Sequence, residues 1–174
     1  MSYEAFTQAI ACFERTIVTG PAAWDRAQAG DELALSPLAQ QGEAIFFGEK
    51  AQCDRCHSGP NFTDEQFHRV GTGLDEKPPD LGRFNVTQQE SDRGAFKTPT
   101  LRNVSLMHAY MHDARFVSLT EAVAWFNDGG HWPSGDDAEL SPLGLSEAEQ
   151  QALVEFLKSL TSELPPVETK RLPE

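Results

Sequence analysis

The stretch Cys53-Asp54-Arg55-Cys56-His57 decides how this chain folds. Two cysteines separated by two residues and followed at once by a histidine form the attachment pattern of c-type haem. Two thiols at this spacing add to the vinyl groups along one porphyrin edge, and the imidazole of the next residue then reaches the iron. The sequence therefore predicts one covalent haem c, bound through Cys53 and Cys56, with His57 as the proximal ligand of the iron.

Two other uses of a Cys-X-X-Cys pair stay open: a thioredoxin-like redox pair and half of a zinc site. A redox pair follows a β-strand in a βαβ unit, whereas residues 42–47 before the motif have a helical pattern. A structural zinc site takes four ligands, and Cys12 is the third and last cysteine of the chain. Zinc would therefore need histidines, of which His68, His108 and His112 follow the motif.

The composition excludes several classes of protein. The chain has 174 residues and a mass of 19.2 kDa, the size of one domain, which we place at residues 1–163 ahead of a Pro-rich polar tail at residues 164–174. Fourteen basic residues against 27 acidic ones leave a net charge of -13. This charge argues against nucleic acid as a partner and favours a redox partner protein with a basic patch. No apolar run reaches the length of a membrane span.

The expected location follows from chemistry rather than from a targeting segment. Residues 1–4 lack the basic start and apolar run of a secretory signal. Haem c is nevertheless attached outside the cytoplasm, so we expect a periplasmic protein.

Two helices are predicted before the motif. Residues 3–18 carry apolar side chains at spacings of three and four, the period of one helical face, and Cys12 among them is expected to be a small buried residue. Residues 36–47 form the second, with Ser36 as N-cap and proline at the first helical position. The stretch between these helices, through Trp24 to Gly30, reads as a loop.

Two further helices are predicted near the C-terminus, each opened by a capping box. One begins at Ser118 and runs to about residue 127, and the other begins at Ser146. The second carries an apolar face formed by Leu153, Phe156, Leu157 and Leu160. Residues 58–98 are expected to be irregular because glycine and proline interrupt them repeatedly, and a loop of this length inside a compact domain is usually functional or wrapped around something such as a ligand.

Several longer stretches carry a resemblance to a known family. They are residues 9–16, residues 48–64, residues 92–104 with Thr-Pro-Thr-Leu-Arg-Asn-Val, residues 110–113 with Tyr-Met-His-Asp, and residues 142–145. In these stretches the chain resembles the C-terminal haem domain of bacterial di-haem cytochrome c peroxidases, and most closely the MauG branch. The resemblance spans about residues 4–162.

The resemblance implies a mostly α fold, with short cytochrome c-like helices around one covalent haem and long irregular loops. It implies that this domain relays electrons to an N-terminal haem domain that meets peroxide and that is absent here, so a separate N-terminal haem domain becomes a candidate partner. Arg102 and His112 would lie near the haem, against its propionates. The alternatives are a surface salt bridge for Arg102 and a helix-capping role for His112.

The distal side of the haem departs from the family pattern. The position that supplies Met in the peroxidases and Tyr in MauG falls here on Phe126, which cannot bind iron. We therefore expect an open, five-coordinate iron. By spacing, Met107, Met111 and His131 are alternative distal ligands, although each of them, like His68 and His108, also fits a packing or surface role.

Two rival functions follow from these features. A stand-alone single-haem electron carrier needs nothing beyond the haem, and a small haem sensor or peroxidase would use the open distal site. The second rival lacks an obvious distal acid or base, because Glu121 lies more than one helical turn from Phe126. We therefore expect weak or no peroxidase activity from this chain without an N-terminal haem domain.

Overall fold

The computed structural model describes residues 2–130 and 140–164, and these form a helical domain with one small sheet. None of the helices in this part of the chain is long and apolar enough to cross a membrane. The α-helices are α1 (Tyr3–Glu14), α2 (Ala23–Gln28), α3 (Pro37–Phe46), α4 (Phe84–Thr87), α5 (Leu119–Asn127) and α6 (Glu147–Ser159). Short 3₁₀ turns cover Cys53–Arg55, Glu90–Asp92 and Val104–Leu106, and the two strands are β1 (Phe67–Arg69) and β2 (Ala95–Lys97).

Helices α3 and α6 form the central packing unit of the domain. Each begins where the sequence predicts: the Ser36 hydroxyl accepts the backbone N–H of Ala39 at 3.1 Å, and Ser146 and Glu149 form a reciprocal capping box. The two helices approach closely at Gly42, where a Cβ would overlap the carbonyl group of Ala152 and come within 2.8 Å of the Cβ of Phe156. The missing side chain of Gly42 therefore sets the separation of the two helices.

The core lies between α3, α6 and the loop that follows the cysteine motif. Phe46 and Phe156 pack with ring centroids 5.0 Å apart, and Phe62 from the loop lies 5.8 Å from Phe46. Trp24 meets Phe62 edge to face at 4.9 Å. The apolar face predicted for α6 is confirmed, because its four residues are among the most buried of the described chain: Leu153, Phe156, Leu157 and Leu160.

Helix α5 and the sheet complete the architecture. Ser118 and Glu121 form the predicted capping box of α5, which packs against α6 through a buried face that includes Leu119 and Val123. Strands β1 and β2 pair antiparallel, with His68 opposite Phe96. The stretch from residue 58 to residue 98 is irregular for most of its length, as predicted. The sheet within it was not predicted, because three-residue strands are too short to show an alternating pattern.

Two expectations for the N-terminal region were wrong. Helix α1 forms, but it buries none of its residues, and Cys12 is exposed rather than buried. The loop expected through Trp24 is helix α2. The Asp25 carboxylate in its first turn accepts the backbone N–H of Ala22 at 2.8 Å, and Gly30 follows the helix with a φ of 102°, a conformation that glycine adopts readily.

The close approach at Gly42 predicts a large effect of a single methyl group. We expect Gly42→Ala to lower the free energy of unfolding by about 1–3 kcal/mol, because overlap with the α6 backbone outweighs the better helix propensity of alanine. Urea unfolding followed by circular dichroism measures this change. Gly20→Ala is the matched control, since no atom lies within 4 Å of its Cβ position. Equal stability of the two variants would contradict the proposed role of Gly42.

Candidate haem site

The cysteine motif lies on a tight turn at the edge of the core. Residues Cys53–Arg55 form a 3₁₀ turn, and the backbone N–H of His57 donates to the carbonyl of Cys53 at 2.9 Å. This turn brings both thiols and the imidazole into one short segment. Cys53 packs against the hydrophobic core, and neither motif cysteine forms a disulfide.

The environment of Cys53 disfavours a thiol–disulfide redox pair. Burial raises the pKa of its thiol to about 12, and the negative charge of Asp54 acts in the same direction. Thiol–disulfide exchange needs a thiolate, which reactive cysteines obtain from a lowered pKa. Cys53 stays a neutral thiol at neutral pH, and no β-strand precedes the motif in residues 2–52. The structure therefore argues against the redox alternative.

The imidazole of His57 is held in the form that binds metal. Burial lowers its pKa, although hydrogen bonds to the carbonyls of Phe62 and Pro99 act in the opposite direction. The ring is therefore neutral at neutral pH. Its Nδ1 lies 3.0 Å from the carbonyl oxygen of Phe62, a contact that requires the proton on Nδ1. The lone pair then lies on Nε2, at the opposite edge of the ring, as in histidines that bind metal while donating to a carbonyl.

A second segment holds the loop that carries the Phe62 carbonyl. The hydroxyl of Thr63 donates to the carbonyl of Thr98 at 2.7 Å, and the hydroxyl of Thr100 donates to the carbonyl of Asn61. Residues 98–102 thus fasten the loop of residues 60–63 from one side. The Thr-Pro-Thr-Leu-Arg signature is therefore connected to His57 through the loop backbone.

Arg102 continues this connection to α2. Its Nε donates to the carbonyl of Pro60 at 2.8 Å, and its two terminal nitrogens bind the Asp25 carboxylate at 2.7 and 2.8 Å. The guanidinium also lies 5.1 Å from the ring centroid of Phe62, and its side chain is only 18% exposed. Arg102 therefore forms the salt bridge that was its alternative role, and this salt bridge is partly buried. The propionate contact predicted for Arg102 stays a prediction for its two remaining N–H groups.

His112 is held between the loop that begins at Thr72 and strand β2. Its ring stacks on Phe96 with centroids 3.5 Å apart, and its Nδ1 lies 3.2 Å from the hydroxyl of the buried Thr72. Its Nε2 lies 3.5 Å from the Asp80 carboxylate. His112 does not cap a helix, and its contact with a propionate stays a prediction.

The candidate distal residues lie on different elements. Phe126 is the half-buried penultimate residue of α5, and Met111 is half-buried with a φ of 69°. Met107 follows the third 3₁₀ turn and is 59% exposed. His131 lies outside the described residues. The assignment of Phe126 to the distal position stays a prediction.

The zinc alternative has a partial basis in the structure. Among the described residues, one group of metal-ligand side chains comes together, with ligand atoms of Cys56, Asp64 and His68 within 4.8 Å of one another. His68 is bound to Asp64 at 2.7 Å. Since a thioether to haem consumes the Cys56 thiol, zinc and covalent haem exclude each other here. The donor set of two thiols and one neutral, oriented imidazole fits haem c.

Sequence reasoning missed two residues that shape this site. The sequence did contain a signal for Asp25, because an acidic residue three positions after the N-cap of a helix often accepts hydrogen bonds from the first free N–H groups. Phe62 had none, because its role depends on its carbonyl and on a left-handed backbone with a φ of 51°.

Comparisons with known proteins find relatives along nearly the whole chain. The chain is 39% identical over 169 residues to the methylamine utilization protein MauG of Methylorubrum extorquens, a match that covers 96% of this chain and 47% of that protein. It is 33% identical over 175 residues to the cytochrome c551 peroxidase of Nitrosomonas europaea, covering 99% of this chain and 49% of that protein. No protein-family model matches the chain.

A solved structure supports the same relationship. A MauG-like protein associated with microbial copper homeostasis superimposes with a TM-score of 0.77 at 28% identity, over 94% of this chain and 58% of that chain. The fold and the donor set thus define a cytochrome c-like domain. The chain belongs to the family of MauG and the di-haem cytochrome c peroxidases. The matches are consistent with a C-terminal haem domain of that family. It spans about half the length of the curated relatives it matches.

The ion pair of Arg102 predicts a pH-dependent contribution to stability. Burial alone would raise the pKa of Asp25, but hydrogen bonds from Arg102 and from the N–H of Ala22 outweigh it and hold the pKa below the ordinary value of 3.8. Because the folded pKa is lowered, the contribution of Asp25 is complete above pH 3.8 and is lost as the pH falls through the folded pKa. We expect Asp25→Asn to lower the free energy of unfolding by about 1–3 kcal/mol at neutral pH, and the loss to shrink below pH 3.8.

Urea unfolding between about pH 3 and pH 7 measures this profile. Arg102→Gln is the partner variant, and the double variant should lose less stability than the two single losses combined, because the pair acts as a unit. A difference between wild type and Asp25→Asn that does not change with pH would contradict the proposed ion pair.

Proposed function

We propose that this chain is a haem c oxidoreductase domain that passes electrons, as the C-terminal half of a di-haem cytochrome c peroxidase or MauG-like protein does. The observation that carries the proposal is the state of His57, a half-buried neutral imidazole whose Nδ1 bonds to the carbonyl of Phe62. This ring directly follows two thiols that form no disulfide. One covalent haem c would be held by Cys53, Cys56 and His57, and it would supply one-electron chemistry at the iron.

The surrounding residues support a relay rather than peroxide turnover. The loop of residues 60–63 fixes the orientation of His57. A metal site whose ligands move little on reduction has a small reorganisation energy, which favours fast electron transfer. Glu121, the acid on α5, accepts hydrogen bonds from the N–H groups of Val117 and Ser118, and these bonds lower its pKa. It stays a carboxylate engaged in helix capping, so it is unsuited to donate a proton at the distal side.

The expected partner and location belong to the same proposal. A net charge of -13 favours transient docking of a redox protein with a basic patch, since complementary charge accelerates encounter. A separate N-terminal haem domain is the second proposed partner. The attachment chemistry of haem c supports a periplasmic location.

A second candidate function is a haem sensor or small peroxidase, and the expected distal residue favours it. The resemblance assigns the distal position to Phe126, whose side chain has no atom that binds iron, and an open iron can take a small ligand such as carbon monoxide or peroxide. A stand-alone electron carrier differs from both in needing no second haem.

The cofactor is tested by counting thiols. The chain has three cysteines, and covalent haem would leave only the exposed Cys12 to react. We expect the denatured protein to keep its haem and to show one reactive thiol. The double variant Cys53→Ala with Cys56→Ala should lose the haem. Cys12→Ser is the matched control and should keep the haem but show no reactive thiol. Haem that extracts into acidic organic solvent, or bound zinc at one ion per chain, would contradict the proposal.

The function is tested by peroxide turnover with a reduced cytochrome donor. We expect reversible reduction of the haem but little turnover from this chain alone, because a positioned general acid or base typically contributes about 10²–10⁴-fold. Turnover at the rate of a two-haem relative measured in parallel would refute the relay and support the small peroxidase.

The distal side is tested by the spin state of the ferric haem. With Phe126 in the distal position we expect a largely high-spin spectrum, and we expect Phe126→Met to convert it to low-spin with a methionine–iron charge-transfer band. Phe126→Leu is the matched control and should stay high-spin. A wild-type spectrum that is low-spin and that changes on substitution of Met107, Met111 or His131 would show that the distal ligand had been misassigned.

A further inference from the structure

Helix α1 is amphipathic, but the described domain does not cover its apolar face. Tyr3, Phe6, Ile10 and Phe13 recur at spacings of three and four along the helix, and Ile17 continues the row in the following turn. These five side chains, here named the α1 stripe, are between 40% and 84% exposed. The helix is well formed at its start, where the Ser2 hydroxyl accepts the N–H of Ala5.

The stripe is too large to be incidental. Five large apolar side chains at these exposures present roughly 500 Å² of surface, and contiguous exposed apolar patches of this size mark interaction sites. A standard interface takes about 800 Å² from each partner. The stripe therefore forms the centre of an interface and needs adjoining surface.

Adjoining surface exists beyond the end of α1. A shallow pocket is lined by Gly20, Pro21, Leu106 and Leu164, among other residues. Leu106 is 48% exposed, and the neighbouring Met107 is 59% exposed. Gly20 and Pro21 follow Ile17 by three and four residues, so the pocket, which Arg26 and Glu163 also line, begins within a few residues of the end of the stripe.

Charge argues against a second copy of this chain as the occupant. Two copies would each bring a net charge of -13, and like charges disfavour association. The relatives point to another occupant. This chain matches 47% of the Methylorubrum extorquens protein and 49% of the Nitrosomonas europaea protein, so a comparable length of polypeptide in each lies outside the match.

We propose that the α1 stripe is the docking surface for the other half of the two-haem fold, the half that these 174 residues do not match. The proposal rests on the proposed function, because it names the partner to which the relay passes electrons. The occupant presents an apolar surface to the stripe and a basic group to Glu14, which follows Ile10 by four residues at the end of α1.

The probe is the part of the Methylorubrum extorquens MauG protein that this chain does not match, produced with its haem alone and together with the haem-loaded chain. Sedimentation velocity, followed by haem absorbance, measures binding. We expect a one-to-one complex with the wild-type chain. Phe6→Glu and Ile10→Glu should each weaken it at least about tenfold, as expected of residues near the centre of an interface.

Gln8→Glu is the matched control. Gln8 is an exposed residue of the same helix and lies on the face opposite the stripe, because it is two residues away from both Phe6 and Ile10. It receives the same charge, so this variant should bind as the wild type does. Because all three positions are exposed, the variants should keep the wild-type circular dichroism and haem spectra.

Three outcomes would overturn the docking proposal. The first is that the stripe variants bind as well as the wild type. The second is that the wild-type chain forms no complex even when the two halves are produced together. The third is a homodimer of this chain that Phe6→Glu dissociates. The proposed function fails differently: haem would not attach, or a complex would form in which reduction of one haem is never followed by reduction of the other.

Discussion

The hydrogen bond between His57 and the carbonyl of Phe62 is the contact on which the candidate site depends. It fixes both the proton and the plane of the imidazole, and burial keeps the ring neutral. The carbonyl is available only because Phe62 adopts a φ of 51°, an unfavourable conformation for a residue with a large side chain. Burial of the Phe62 ring among Phe46, Phe156 and Trp24 offsets that cost. The packing of the hydrophobic core and the orientation of His57 therefore depend on the same residue, Phe62.

Arg102 connects the loop behind His57 to helix α2. One guanidinium binds Asp25 in the first turn of α2, the carbonyl of Pro60 and the face of Phe62. A lysine could replace its charge but could not make the two parallel bonds to the carboxylate while keeping a third bond to the loop. Asp25 also caps α2 through the N–H of Ala22. The loop behind His57 is therefore fastened to a helix whose own start depends on the same carboxylate.

The sequence allowed some of these features to be predicted and not others, and the difference follows the range of the interactions. The starts of α3, α5 and α6 were predicted correctly because their caps involve residues three apart in sequence. The hydrogen bond between Thr63 and Thr98 joins residues 35 apart in sequence, and no local sequence pattern predicts it. Helix α1 was predicted only in part. Its periodicity correctly indicated a helix with an apolar face, but periodicity does not say which molecule covers that face.

The irregular backbone around the motif explains why a covalent cofactor suits this domain. Among the described residues, every non-glycine residue with a positive φ lies between Gln52 and Ala114. Each such conformation costs roughly 1–2 kcal/mol and persists only where surrounding contacts enforce it. A cofactor that binds reversibly stabilises the folded state by an amount that grows with the logarithm of its concentration, whereas a haem attached through Cys53 and Cys56 would always be present. Burial of its macrocycle and the bond from His57 would then favour the folded state at any concentration, and this stabilisation would act where the backbone is least favourable.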